Sequence, residues 1–282
     1  MFWKSTYNEF IKIAAKPRSY IGIGAITLII GIILFAMKLD GMTFISYVTQ
    51  PFEQSLAFEG NILNGNLIAF IILQMLIIHV PLLIALVTGD LVSGEGAMGT
   101  IRLLLTKPIS RTSILFSKYI SGCAYTLVLL LWMAFMALIV GKWLFGSGDL
   151  MVLNSNSDGL IVFQEHDIAW RFLCGFGVAY LSLVMVATLS LTLSCFSDNS
   201  IGPIVSTMSI IILFTIIGAL DVPSLQKIQP YLFTTHMVSW RNFFEDPLPV
   251  KKIIESASIL LFHIVGLLGI AVYKFNRKDI LS

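Results

Sequence analysis

Between Asp90 and Lys118 the chain reads DLVSGEGAMGTIRLLLTKPISRTSILFSK, setting Asp90, Glu95, Arg102, Lys107, Arg111 and Lys118 between two stretches apolar enough to sit in lipid. The chemistry these residues offer is recognition rather than bond-making. Thr100 is placed to cap a short helix through Ile101, Arg102, Leu103, Leu104 and Leu105. Lys107-Pro108 ends that helix, because proline disfavours helical backbone in the residue before it. Ser110 can cap the next helix, which begins at Arg111. Gly94, Gly96 and Gly99 let the chain turn away from the bilayer after Asp90, and Glu95 and Arg102 are spaced to pair across that turn. A short helix carrying Leu103, Leu104 and Leu105 suits a groove on a partner protein. It equally suits an interfacial anchor for the loop, and the residues alone leave the two readings level.

Polar chemistry elsewhere is sparse. Gln74 and His79 fall inside an apolar run, where polar groups usually face a bundle interior and can form a site. The commoner role of a lone intramembrane histidine is a packing hydrogen bond, and His263 is weighed the same way. His166 and His236 lack metal-ligand spacing, and the 11 methionines are too scattered for a copper relay. Cys123, Cys174 and Cys195 lie within apolar stretches and read as small buried hydrophobes. No glycine-rich phosphate loop followed by Lys and Ser or Thr occurs, so no ATPase site of its own is expected. No catalytic residue, directly bound cofactor or metal site is expected either.

These residues need a frame, and composition supplies it. Of 282 residues, 57% are apolar and only 12% charged, with a mean hydropathy of +0.89, whereas soluble domains run to about a quarter charged. The chain therefore reads as a multi-pass membrane protein, and its net charge of +2 implies no nucleic-acid partner. Six stretches free of Asp, Glu, Lys and Arg can cross ~30 Å of hydrocarbon. They lie near Tyr20–Met37, Leu67–Thr88, Tyr119–Gly141, Phe172–Phe196, Ile201–Leu220 and Ser256–Tyr273. Each must be helical, since lipid offers irregular backbone no hydrogen-bond partner. With the N-terminus inside, eleven basic residues fall on the inner connections (1–18, 89–118, 197–200, 274–282) and seven on the outer ones. That bias puts both termini in the cytoplasm. No cleavable signal peptide is expected from the mixed, charged Met1–Arg18.

Residues 1–18 mix Phe2, Trp3, Tyr7 and Phe10 with Lys4, Lys12, Lys16 and Arg18, the pattern of a helix in the membrane interface with its lysines among the headgroups. A frayed tail is the alternative. Outer residues 38–66 and 221–252 are rich in aromatics and read as short amphipathic helices resting on or dipping into the outer leaflet. Glycines, serines and asparagines in 142–168 mark turns and solvent. Ser197 to Ser200 close a tight hairpin, with Ser200 available as an N-cap and Asp198 as a second cytoplasmic contact. The absence of charge from all six stretches disfavours a proton- or sodium-driven carrier. The expected fold is one all-α membrane domain over 1–282.

Gly94, Glu95, Gly99, Thr100, Ile101, Arg102, Leu104, Leu105, Pro108, Ile109, Ser110, Arg111 and Lys118 carry a resemblance. Their spacing is similar to the first cytoplasmic loop of ABC-2-type exporter membrane subunits, roughly Gly-Glu-x-x-x-Gly-Thr-(Leu/Ile)-Arg-x-Leu-Leu-x-x-Pro-(Ile/Val)-Ser-Arg. Ala97 and Met98 stand where that family often has a charged pair. The resemblance implies a six-helix permease with an N-terminal elbow helix, whose loop docks through Glu95, Gly99, Thr100, Ile101, Arg102, Leu104, Leu105, Pro108, Ser110 and Arg111. The partner would be a separate nucleotide-binding ATPase holding ATP and Mg. It further implies a homodimer of permeases with two ATPases, in the lipid of a bacterial inner membrane, exporting a substrate the residues do not name. The alternative is a non-transporting relative that passes ATP-driven motion to an extracytoplasmic accessory protein.

Overall fold

The computed structural model describes residues 2–49, 62–76, 79–101, 108–153 and 160–278. They form an all-α membrane protein with six helices long and apolar enough to cross a bilayer: Pro17–Ser46, His79–Ala97, Arg111–Phe145, Glu165–Phe196, Ile201–Ala219 and Val250–Arg277. A small ribbon interrupts the helical pattern within residues 142–168. Strands β1 (Leu150–Leu153) and β2 (Leu160–Phe163) pair antiparallel, Leu150 opposite Phe163 and Leu153 opposite Leu160. Two aliphatic runs flanking the Asn/Ser/Gly tract make a hairpin where only turns were expected.

Helix α1 (Phe2–Ala15) breaks at Lys16, and Pro17 opens α2 (Pro17–Thr49), where its missing N–H costs nothing. One face of α1 exposes Trp3, Tyr7 and Ile11, and the other buries Ser5, Thr6, Glu9 and Ile13. The buried face packs on α6 (Arg111–Ala134). Small side chains allow a close approach: Ser5 Oγ lies 3.2 Å from Ser117 Oγ, and Ser121 Oγ donates to Thr6 O at 3.3 Å. Lys12 and Lys16 of this segment, expected among headgroups, reach carboxylates of the protein instead.

The second crossing runs beyond its expected end. Residues 65–76 (α3, Gly65–Leu76) and 79–88 (α4, His79–Thr88) are helical over the expected Leu67–Thr88 stretch, with 77–78 outside the described residues, and α5 (Asp90–Ala97) continues the helix past Gly89. The chain does not leave the helix after Asp90 because α8 (Glu165–Phe196) repairs the break. Ser194 Oγ accepts from Val92 N at 3.2 Å and Ser93 N at 2.9 Å, and donates to Gly89 O at 2.6 Å. Asp90 and Glu95 therefore lie inside a candidate span. The candidate helices run past the uncharged stretches, and Lys118 likewise lies in α6 one residue before Tyr119–Gly141.

Downstream, α6 runs through a π-helical stretch (Phe135–Val140) into α7 (Gly141–Phe145). Helix α8 is the spine, with α9 (Ile201–Ala219) and α12 (Val250–Arg277) laid on it. Only 17% and 22% of the apolar windows of α9 and α12 are buried, so most of their surface is left for lipid or another chain. Residues 221–252 fold as short helices, α10 (Pro223–Gln226) and α11 (Phe233–Met237), with 3-10 turns at Gln229–Tyr231 and Ser239–Phe244. In the other outer segment α2 continues unbroken to Thr49, and 50–61 lie outside the described residues.

Candidate functional site

Four side chains from three helices close a ring of alternating charge. Helix α1 brings Glu9 and Lys12, three residues apart and so on one face; α5 brings Glu95 and α6 brings Lys118. Lys118 Nζ lies 2.9 Å from Glu9 Oε2 and 2.7 Å from Glu95 Oε2. Lys12 Nζ lies 2.7 Å from Glu9 Oε1 and 2.7 Å from Glu95 Oε1. Lys118 is fully buried, and Glu9 and Glu95 are 2% and 5% exposed. The approach of Lys118 to Glu95 Oε2 lies outside hydrogen-bond angles, so charge attraction rather than a directed bond holds it. Lys12 forms the open edge. Its burial alone would lower its pKa, but bonds and charge from Glu9 and Glu95 outweigh that and hold it above the ordinary lysine value. The four charges sum to zero, and each has a partner, which is what makes their burial tolerable.

Asp90 forms a second node. Its Oδ2 lies 2.7 Å from Lys16 Nζ, its Oδ1 lies 2.6 Å from Arg18 Nη1, and Ser200 Oγ donates to Oδ1. The carboxylate folds over its own helix at Gly94, where a Cβ would stand 2.1 Å from Asp90 Oδ1. Two cations on one anion leave an excess positive charge, carried by side chains that are 31% (Lys16) and 37% (Arg18) exposed.

The arrangement is mechanical. Each charge of the ring is paired with another charge of the ring, and no metal-holding cluster occurs among the described residues. Glu95 is on the chain entering the 98–110 loop and Lys118 is on the chain leaving it. The ring therefore clamps both ends of the loop to each other and to α1.

The loop leaves α5 at Gly99, whose φ of +68° favours glycine, with Met98 N donating to Gly94 O and Gly99 N to Gly96 O. Thr100 Oγ1 reaches back to donate to Glu95 O at 3.3 Å. Ile101 is buried, while Met98 is 61% exposed where the chain leaves α5. Arg102, Leu103, Leu104, Leu105 and Lys107 lie outside the described residues. Pro108 is exposed, and Ser110 caps α6 by accepting from Ser113 N at 3.2 Å, as its position suggested.

Several expected contacts point inward instead. Glu95, read as a surface contact, is buried against Lys12 and Lys118, and its expected partner Arg102 lies outside the described residues. Arg111 Nη1 donates to Asn276 O at 3.0 Å and Lys278 O at 2.9 Å, satisfying carbonyls at the end of α12. Ser200 is taken up by Asp90, so Asn199 Oδ1 caps α9 by accepting from Gly202 N at 2.8 Å. Asp198 stays exposed but lies 2.8 Å from Lys278 Nζ, and that ammonium holds its pKa below the usual aspartate value. His79, expected to face the bundle, is exposed on α4 with Nδ1 3.0 Å from Met75 O, and Gln74 is half-buried on α3.

Glu9, Lys16, Arg18 and Ser194 were not singled out from the sequence as site residues. Glu9 carried a signal: it is the one acid in a basic amphipathic segment, three residues before a lysine. Ser194 carried none, because its role depends on which helix crosses Gly89.

A family model described as "Protein of unknown function (DUF2705)" matches residues 25–281, from the second turn of the apolar run of α2 to the C-terminal end. A relative from Bacillus subtilis (strain 168), "Uncharacterized protein YhcI", is 34% identical over 119 residues, 41% of this chain and 37% of that protein. The match thus spans little more than a third of that relative's length. With most of its length matched by the family model, this chain belongs to the DUF2705 family.

Proposed function

We propose that this chain is the membrane subunit of an ATP-driven export complex similar to the ABC-2 type, driven by a separate nucleotide-binding ATPase. The observation that carries the reading is the loop between Glu95 and Lys118. Its residues stand at the ABC-2 spacing, its first residues Met98 and Thr100 are exposed, and both its ends are locked in one buried ring. A groove on the ATPase takes Thr100–Leu105. When ATP and Mg draw two ATPase subunits together, each pushes its loop, and the ring passes that push to α1, α5 and α6 as one body. The N-terminal helix is then the elbow, and the short helices of 221–252 rest against the outer leaflet.

Orientation follows from what gathers at the loop's end of the molecule. Lys16 meets Asp90, Arg111 meets the end of α12, and Lys278 meets Asp198. The basic residues that meet there, Lys16, Arg111 and Lys278, support reading that end as the cytoplasmic one. The working unit is two copies of this chain with two ATPases in a bacterial plasma membrane. The charges inside the spans do not revive a proton-driven carrier, because they are mutually paired near helix ends rather than spread along a path.

The test is co-purification of the tagged chain with a nucleotide-binding ATPase, in the natural form and as Arg102→Glu and Leu104→Asp. Loss of the ATPase from both variants, with membrane insertion intact, is the expected result. Retention of the ATPase and full activity in both would overturn the reading.

A further inference from the structure

A lateral cavity of about 240 Å³ opens between α1, α2 and α6. Its walls are Ile13 and Ala14 of α1, Tyr20 and Ile23 of α2, and Ala124 and Val128 of α6. Its inner wall is tied by Tyr125 Oη donating to Ser19 O at 3.2 Å, so few polar groups face the space. Tyr20 and Val128 are more than half exposed, and both belong to helices long and apolar enough to cross a bilayer, so in a membrane the cavity would open toward hydrocarbon. An engineered apolar cavity of ~150 Å³ stays dry and takes benzene, so water is a poor occupant of this larger one. In a bilayer the available apolar filler is a lipid tail.

Charge narrows the choice of lipid. Lys16 and Arg18 lie in the turn joining the two helices that line the cavity, between Ala14 and Ser19. Both pair with Asp90 alone among the described acids, which leaves a net positive charge on two partly exposed side chains. We propose that this cavity holds one acyl chain of an anionic phospholipid, with its phosphate at Lys16 and Arg18. The lipid would then wedge between the N-terminal helix and the first and third spans, next to the buried ring, through Ile13, which is buried and also borders the Glu9, Lys12 and Glu95 side chains. This inference needs only that the chain sits in a membrane and stands apart from the export reading.

The test is native mass spectrometry of the full chain in detergent, titrated with phosphatidylglycerol, phosphatidylcholine or glycerol 3-phosphate. One phosphatidylglycerol per chain is expected, favoured about fivefold over phosphatidylcholine, the effect of one uncompensated cation. Glycerol 3-phosphate, which lacks a tail, is expected not to bind. Ala124→Phe fills the cavity and Val128→Phe closes its rim, and each is expected to weaken phosphatidylglycerol at least about tenfold, the equivalent of two buried methylenes. Val128 is half exposed and tolerates the change, so it decides the matter if Ala124→Phe fails to fold. Undiminished binding in Val128→Phe, equal binding of the two phospholipids, or binding of glycerol 3-phosphate would each overturn the proposal.

Discussion

Replacing Lys118 by methionine removes one ammonium and keeps most of the side chain's volume. Lys118 is fully buried and bridges Glu9 and Glu95 at 2.9 and 2.7 Å, so the variant leaves two carboxylates sharing Lys12 alone. An uncompensated buried charge of this kind costs about 3–5 kcal/mol. At ~2–4 °C per kcal/mol for larger domains, the midpoint of thermal unfolding in detergent should fall by roughly 6–20 °C. Glu95→Gln alone leaves the opposite imbalance, one surplus ammonium, and should cost a similar amount. The double variant leaves only the neutral Glu9–Lys12 pair. Its loss should therefore be smaller than either single loss, which requires a coupling of at least about 3 kcal/mol in the cycle. A drop of only a degree or two in both singles, or strict additivity in the double, would refute the ring as a closed electrostatic unit.

The remaining expectations concern the parts around it. Lys12 has a raised pKa, so its share of stability is whole below the unfolded value of 10.5 and is lost as pH rises through the higher folded value. Thermal midpoints of the natural chain should accordingly fall above about pH 10.5, and Lys12→Met should flatten that limb. Gly94→Ala pushes a methyl into the Asp90 carboxylate and should cost about 1–3 kcal/mol; combining it with Asp90→Ala should recover part of the loss in the same melting assay. Gly99→Val forces a β-branched residue to φ +68° and should cost about 1–3 kcal/mol while re-aiming the loop, read as weaker ATPase stimulation than in Gly96→Val.

Much of the frame was legible. Six apolar runs of the right length became six candidate spans, and the Ser110 cap ahead of Arg111 appears where its position suggested. What was not legible is which charges are surface and which are core. Asp90 and Glu95 looked like the start of a polar loop because an isolated helix would end at the Gly89–Gly99 tract. Ser194, from a helix a hundred residues away, supplies the missing bonds and keeps the helix going. Once it continues, five residues of spacing place Glu95 against Lys12 and Lys118. Arg111 likewise reads as a free cation until the C-terminal end of α12 is brought beside it. In each case a long-range partner reassigns a residue whose local signal was correct in kind and wrong in address.

The central claim is that residues around Gly99 touch an ATPase, and a photo-crosslinking amino acid at position 98 tests it most directly. Met98 is the exposed side chain at the end of α5, and its replacement disturbs no ring contact. Irradiation of cells should yield one major adduct to a nucleotide-binding ATPase, with a yield that changes when ATP is depleted. Adducts to lipid or to this chain alone would contradict the account.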